Sequence, residues 1–372
     1  MDKTEKIAVI LILCCAAAGT AALVMGMAWT GEHPSALAGA PPVSATGGAV
    51  SALDATAPAN TTSCAPVTIN QTDGTPITLP CKAERLIVAN SDAAEMLIAF
   101  GAADKIVGVD ESTFSVPYIM NKIPNATSIG NWETPNIEQI LALHPDAVIS
   151  YSSYKPKNID QITAANITVI SLDCYQLSTL ASDARAIGTL TGTSDTADDY
   201  AQMVNGTINQ VNARVKTLPA DEIPSVYFEG YTDYTAESNG SGSNELLVAA
   251  GGRNIAGNSS TSYMTVSPEW LVAQQPQYVM KVVASSDNRK LTDVVATLRA
   301  RTGWSTIPAV QQNHVNAFDS DLAYGPRAYI GLVYMAQILH PNTFPDMNPR
   351  EMLDAYAGQY VNGTNVSRMM YP

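Results

Sequence analysis

Asn136-Ile137-Glu138-Gln139-Ile140-Leu141-Ala142-Leu143-His144-Pro145-Asp146-Ala147-Val148-Ile149-Ser150 reads as a short helix, a turn and a buried strand. Ser267-Pro268-Glu269-Trp270-Leu271-Val272-Ala273-Gln274-Gln275-Pro276-Gln277-Tyr278-Val279-Met280 repeats the plan about 130 residues later. In both copies a Glu is followed by Ala at four positions on, Pro at seven and Val at ten, with aliphatic residues at two and three. The Glu sits in the first helical turn, where the helix dipole favours negative charge. The aliphatic pair packs on a sheet, Pro ends the helix, and an apolar run enters the core as a strand. Two such copies predict two similar α/β lobes, each presenting one carboxylate at an equivalent corner.

The chain has 372 residues, enough for two domains with sizeable cores. A net charge of −14 argues against nucleic acid and anionic lipid as partners and suits a domain outside the cell. Lys3 and Lys6 precede an uncharged run, Ile7 to Trp29, long enough to cross a bilayer. Basic residues before the span leave everything after Trp29 on the extracytoplasmic side. Residues 1–29 are either a retained transmembrane anchor or a signal peptide cleaved, for example, after Ala36-Leu37-Ala38. Cys14 and Cys15 lie in this run, but their flanks make a poor lipidation signal. Residues 30–63, rich in Ala, Gly, Pro, Ser and Thr, predict a flexible linker.

Cys64 and Cys81 bracket Val67-Thr68-Ile69, Asp73-Gly74 and Pro76-Ile77-Thr78-Leu79, a hairpin pattern. A disulfide between them would contribute roughly 3 kcal/mol and leaves Cys174 as a buried apolar residue. Sequons begin at Asn60, Asn70, Asn125, Asn166, Asn205, Asn239, Asn258, Asn362 and Asn365, more than chance would place, as in an exported glycoprotein.

Strands alternating with helical stretches from Arg85 onward predict mostly parallel sheets. The expected boundaries are 64–190 for an N-terminal lobe with the hairpin, 191–218 for a connecting helix and 219–372 for a C-terminal lobe. The connector opens with Ser194 as N-cap and carries Ala197, Ala201, Val204, Ile208, Val211 and Val215 as one apolar stripe. It is either a stiff strut between lobes or an ordinary packed helix. Gly251-Gly252 should end a helix from Asn244 with a left-handed cap. Helices should follow from Leu291, Pro326 and Pro349, and the tail after Gly358 reads as loose.

These residues resemble the periplasmic substrate-binding proteins of ABC importers for ferric siderophores, haem and vitamin B12. The match covers roughly Lys82 to Asp354. It rests on Ser91 to Glu95, Gly130-Asn131-Trp132 before Pro135-Asn136-Ile137-Glu138, Ala142-Leu143-His144-Pro145-Asp146, Ala250-Gly251-Gly252-Arg253-Asn254-Ile255, and Val266-Ser267-Pro268-Glu269. The resemblance implies the class III fold, two Rossmann-like α/β lobes joined by one long interdomain helix with ligand clamped between them. It implies a monomer that hands a small-molecule metal chelate to an ABC permease and its ATPase, with no cofactor of its own. Glu138 and Glu269 are then the permease-docking carboxylates; otherwise they only satisfy helix dipoles.

Ligand contacts are expected on loops at the carboxyl ends of strands. The candidates are Asn90, Ser91, Trp132, Tyr151 and Ser152 in the first lobe, and Tyr231, Tyr263, Tyr324 and Arg327 in the second. Trp132 matches a pocket tryptophan of the family, and otherwise caps the core. Arg327, at the first turn of a helix, suggests an anionic partner; a surface ion pair would also explain it. The ligand order is a ferric siderophore or related iron complex, then a cobamide, then haem. Against catalysis, His33, His144, His314 and His340 are scattered, and no nucleophile elbow, phosphate loop or dinucleotide motif occurs. No catalytic residue or resident metal site is assigned. A chelatase-like enzyme and a tethered sensory or adhesive module stand as alternatives.

Overall fold

The hairpin comes first: β1 (Val67–Asn70) pairs antiparallel with β2 (Pro76–Leu79) across the Asp73-Gly74 turn, Gly74 having φ +82°. Cys64 and Cys81 are joined by a disulfide with Cα atoms 5.4 Å apart, and Cys174 is free and buried. The computed structural model describes residues 64–361 and 369–371, which belong to one compact unit spanning Thr61–Pro372. The apolar run Ile7 to Trp29 and the linker 30–63 lie outside the described residues, as do the sequons at Asn60, Asn362 and Asn365. Among the described residues no helix is long and apolar enough to cross a membrane.

Two separate sheets follow. The first holds β3 (Leu86–Ala89), β4 (Ile106–Val109), β5 (Thr127–Ser128), β6 (Ala147–Ser150) and β7 (Thr168–Ser171), all parallel, in the order β5-β4-β3-β6-β7. The second is mixed. Its centre is parallel: β8 (Ser225–Glu229) lies beside β12 (Tyr278–Val283), which lies beside β13 (Val315–Asp319). Around it sit β9 (Thr235–Glu237), β10 (Arg253–Asn254) and β11 (Tyr263–Thr265) on one side and β14 (Met370–Tyr371) on the other. Of the tail expected to be loose, residues 362–368 and 372 lie outside the described residues, while β14 pairs antiparallel with β13 and the Asp319 N–H donates to the Met369 carbonyl.

The repeat is structural as well as textual. Helix Ile137–Ala142 is capped by Asn136, whose side chain accepts from the Gln139 N–H at 3.2 Å. Helix Pro268–Gln274 is capped by Ser267, which accepts from the Trp270 N–H at 3.1 Å. Each helix is stopped by a residue in the left-handed region, His144 at φ +46° and Gln275 at φ +47°, just before the proline. The next residue clips the neighbouring strand. Asp146 accepts from the Arg85 N–H at 2.8 Å and donates its own N–H to the Arg85 carbonyl at 2.8 Å. Gln277 treats Ser225 in the same way, at 2.8 and 2.9 Å. The registers match in turn, with Leu86 opposite Ala147 and Val226 opposite Tyr278.

Between the sheets runs the helix Ser194–Val215, 22 residues and about 33 Å long. Its N-cap is Thr193 rather than Ser194, which is the first helical residue. It is both strut and packed helix. One side lies on helix Leu180–Thr191, so closely that a Cβ on Gly188 would come within 2.4 Å of the Ala197 Cβ. Its buried face consists of Ala197, Tyr200, Ala201, Val204, Thr207 and Val211, while Ile208 and Val215 are half-buried. Tyr200 interrupts the expected aliphatic stripe because its hydroxyl ties the helix to the second lobe, donating to the Pro326 carbonyl at 2.6 Å. The core on this side is continuous from Leu86 and Val88 through Val204 to Phe228 and Leu332. Each sheet's outer face has its own smaller core.

Helix Gly242–Ala249 ends at Gly251, φ +83°, as the glycine pair predicts. Leu291 opens a helix as expected. The helix expected from Pro326 begins as a short 3-10 turn, Gly325–Arg327, before the α-helix Ala328–Leu339.

The two strand clips differ in exposure. Ser225 is buried, whereas Arg85 faces water. Gln277→Ala should therefore cost about 1–2 kcal/mol by stranding the Ser225 N–H, and Asp146→Ala less, because water replaces the lost acceptor. Urea unfolding measures both, and equal losses would contradict this account.

Candidate functional site

Parallel strands leave their carboxyl-end loops at one edge of a sheet, and that edge is where a cavity forms here. Ser91 and Asp92 follow β3, Trp132 follows β5, Tyr151 and Tyr154 follow β6, and Tyr175 follows β7. The second lobe brings Tyr231 after β8, Tyr263 on β11, and Ser320, Asp321 and Tyr324 after β13. Together they line a cavity of about 320 Å³. Three of its residues, Tyr154, Tyr231 and Tyr263, are large exposed aromatics at the rim.

The aromatics form a chain from one lobe to the other. Trp132 meets Tyr151 with centroids 5.7 Å apart and Tyr154 at 6.3 Å. Tyr151 meets Tyr175 at 6.0 Å, Tyr175 crosses to Tyr324 at 6.3 Å, and Tyr324 meets Tyr231 at 6.3 Å. Four of these five contacts are edge-on, the arrangement that aromatic quadrupoles favour. Tyr324 is fixed from behind: its hydroxyl donates to Glu237 at 2.9 Å and accepts from Ser243 at 2.8 Å. Burial pushes the phenols of Tyr151 and Tyr324 well above their ordinary value, so both remain protonated hydrogen-bond donors near neutral pH. Burial, and next the Glu95 carboxylate, push Asp92 well above the usual carboxylate range. None of the lining residues is Lys, Arg or His.

A family model described as periplasmic binding protein matches residues 86–322. The chain belongs to the periplasmic binding protein family. An uncharacterized ABC transporter substrate-binding lipoprotein of Bacillus subtilis is 26% identical over 76% of this chain and 88% of its own length. A cobalamin-binding protein of Halobacterium salinarum is 27% identical over 75% of each. The solved structure of the TroA-like periplasmic binding protein FepB from Veillonella parvula superposes with a TM-score of 0.72 at 20% identity. It covers 82% of this chain and 99% of that one, and so shares the fold. As a periplasmic binding protein, the chain is a substrate-binding component; its relatives' descriptions support binding rather than catalysis.

Six of the nine expected contact residues of this binding protein line the cavity: Ser91, Trp132, Tyr151, Tyr231, Tyr263 and Tyr324. Asn90, Ser152 and Arg327 do not. Asn90 is buried beneath it. Its side chain accepts from the Asp92 and Ala93 N–H groups at 2.9 and 3.2 Å and donates to the Leu172 and Asp173 carbonyls at 2.8 and 3.0 Å. It thus ties the end of β3 to the loop after β7 and aims Ser91 and Asp92 at the cavity. The Ser152 N–H donates to Asp173 at 2.8 Å, which holds the loop that carries Tyr151 and Tyr154.

Arg327 corrects the expectation most. It is 1% exposed, and its guanidinium is consumed inside the protein. Nη2 lies 2.5 Å from Glu95 of the first lobe and 2.9 Å from Asp321, and it donates to the Tyr118 hydroxyl at 2.9 Å. Tyr118 and Tyr356 each donate to Glu95 at 2.7 Å. The positive charge foreseen for an anionic ligand is an internal inter-lobe tie. Asp321 belongs to both, facing the cavity while holding Arg327. Asp92, Tyr154, Tyr175, Ser320 and Asp321 are lining residues that the sequence does not single out, although each lies within four residues after a strand end.

Glu138 and Glu269 are both exposed, each at the second residue of its capped helix. Trp132 and Tyr263, six residues upstream of each, line the cavity.

Removing one partner of a buried pair leaves the other charge uncompensated. Arg327→Met should therefore lower the unfolding free energy by about 3–5 kcal/mol, read from denaturant unfolding. A loss below about 1 kcal/mol would show that Glu95 does not depend on the guanidinium.

Proposed function

We propose that this protein captures a neutral or cationic metal chelate, a cobamide first, in the cleft between its lobes and delivers it to an ABC permease. The carrying observation is the lining: six tyrosines and one tryptophan, two aspartates, two serines and no cationic side chain. A cobalt corrin is a broad, flat complex with positive charge at its metal and amide arms at its edge. Aromatic faces and protonated phenols suit the ring and its amides, and the Asp321 carboxylate suits the charge. The exposed rim aromatics Tyr154, Tyr231 and Tyr263 offer contact surface beyond the enclosed 320 Å³ to a larger ligand. The cobalamin-binding relative supports the same choice. Anionic ferric siderophores and the propionates of haem would meet a lining with no cationic side chain, in which the Asp321 carboxylate already engages the buried Arg327. An iron complex ranks first only if Arg327 faces the ligand, and it does not. A neutral ferric hydroxamate fits the same lining and the modest enclosed volume, and is the second reading.

In this reading the ligand is held by its own chelator. Among the described residues no group of three or more His, Cys, Asp or Glu side chains is placed to hold a bare ion. Glu138 and Glu269 serve as the permease contacts, one on each lobe beside the cleft.

Titration with cobalamin, a neutral ferric hydroxamate, an anionic ferric catecholate and haem, followed by tryptophan quenching, tests the ligand class. Saturable binding of cobalamin and none of the catecholate or haem is expected; catecholate binding without cobalamin binding would overturn the reading. Trp132→Ala and Tyr151→Ala should each weaken binding about tenfold, or ~1.4 kcal/mol. Glu138→Ala with Glu269→Ala should leave affinity intact and abolish uptake in cells carrying the importer; normal uptake would remove these residues from the permease contact.

A further inference from the structure

All six sequons on described residues have an exposed asparagine, yet the structure divides them into two groups by their third residue. A sequon is recognised through its Ser or Thr hydroxyl as well as its Asn, so both must be reachable. In three of the six the hydroxyl is already used. The Thr72 hydroxyl, after Asn70, donates to Asp183 at 2.9 Å and accepts from the Asp173 N–H at 2.8 Å. Thr207, after Asn205, is buried in the long helix and donates to the Met203 carbonyl at 3.0 Å. Ser241, after Asn239, is buried and caps helix Gly242–Ala249 by accepting from the Asn244 N–H at 3.1 Å. The other three are open. Thr127, after Asn125, and Ser260, after Asn258, are exposed, and Thr168, after Asn166, is half-exposed.

The backbone separates five of the six in the same way, with Asn70 in β1 and Asn205 in a helix; Asn239 stands in a turn, and only its buried Ser241 sets it apart. Asn125 and Asn258 stand in turns, and Asn166 adopts φ +61°. Asn125 and Asn166 lead into β5 and β7, the two edge strands of the first sheet, whose outer sides pair with no further strand among the described residues, although Ser171 at the far end of β7 bonds Gln71 and Thr72. Asn205, in contrast, lies inside a 22-residue helix that would have to open.

We propose that Asn125, Asn166 and Asn258 are N-glycosylation sites of the folded protein and that Asn70, Asn205 and Asn239 are not. The donor is an oligosaccharide linked through phosphate to a polyisoprenoid lipid. The Asn side-chain nitrogen forms a bond to the anomeric carbon, the carbon–oxygen bond to the lipid phosphate breaks, and one amide proton leaves with the released phosphate; nothing is oxidised or reduced. Asn125 and Asn166 precede the amino ends of their strands, whereas the cavity lies at the carboxyl ends. Glycans there point away from ligand capture.

The test is glycopeptide mass spectrometry of the full chain exported by a host with an asparagine oligosaccharyltransferase, beside N125Q, N166Q and N258Q. Glycan on these three positions, absent from Asn70, Asn205 and Asn239, and a mass loss of one glycan per substitution are expected. Cobalamin affinity of the triple variant should be unchanged within twofold. Unmodified Asn125, Asn166 and Asn258, or equal occupancy at all six positions, would overturn the proposal. The occupancy readout stands apart from the ligand reading, so failure of one does not obscure the other.

Discussion

The buried ion pair between Arg327 and Glu95 is the constraint on which the rest depends. Taking a guanidinium and a carboxylate out of water costs several kcal/mol per ion, and attraction offsets this only when the remaining polar atoms are satisfied. Here the tyrosines at 118 and 356 complete Glu95, while Asp321, the Tyr118 hydroxyl and the Met369 sulfur satisfy the cation only in part, its buried Nε having no hydrogen-bond partner. The pair spans the lobes, since Glu95 rides on the helix after β3 and Arg327 follows β13. It also decides the chemistry of the cleft. By consuming the arginine internally, it leaves the cavity wall aromatic and acidic.

The long helix gives that pair its setting. Tyr200 reaches the Pro326 carbonyl one residue before Arg327, and the Gly188–Ala197 contact fixes the helix against the first lobe. Further ties reach across the cleft: the Ser178 N–H donates to Glu245 at 2.9 Å, and Tyr175 meets Tyr324. The binding edges of the two sheets thus face each other because the core behind them is continuous, and the cavity occupies the space the core leaves open.

The repeat was legible because its determinants are local. A Glu in the first turn, an aliphatic pair and a proline act within a dozen residues and stand out in the sequence, whereas the caps Asn136 and Ser267 and the left-handed stops at His144 and Gln275 emerge from the structure. The aromatic cavity is half legible for a related reason: strand ends can be located, but how far each following loop turns inward cannot, which is why nothing in the sequence singles out Tyr154 and Tyr175. Arg327 was illegible. Its position at a helix start is local, but its partner Glu95 lies 232 residues away and only the fold brings them together. The tail strand has the same cause, for nothing in Met370-Tyr371 names β13 as its neighbour.

Hydrogen–deuterium exchange of the intact protein, with and without saturating cobalamin, tests the central claim most directly. A ligand clamped by both lobes should slow exchange in the loops around Ser91, Trp132 and Tyr151 and, equally, in those around Tyr231 and Asp321. Protection confined to one lobe, or found only away from these loops, would contradict it.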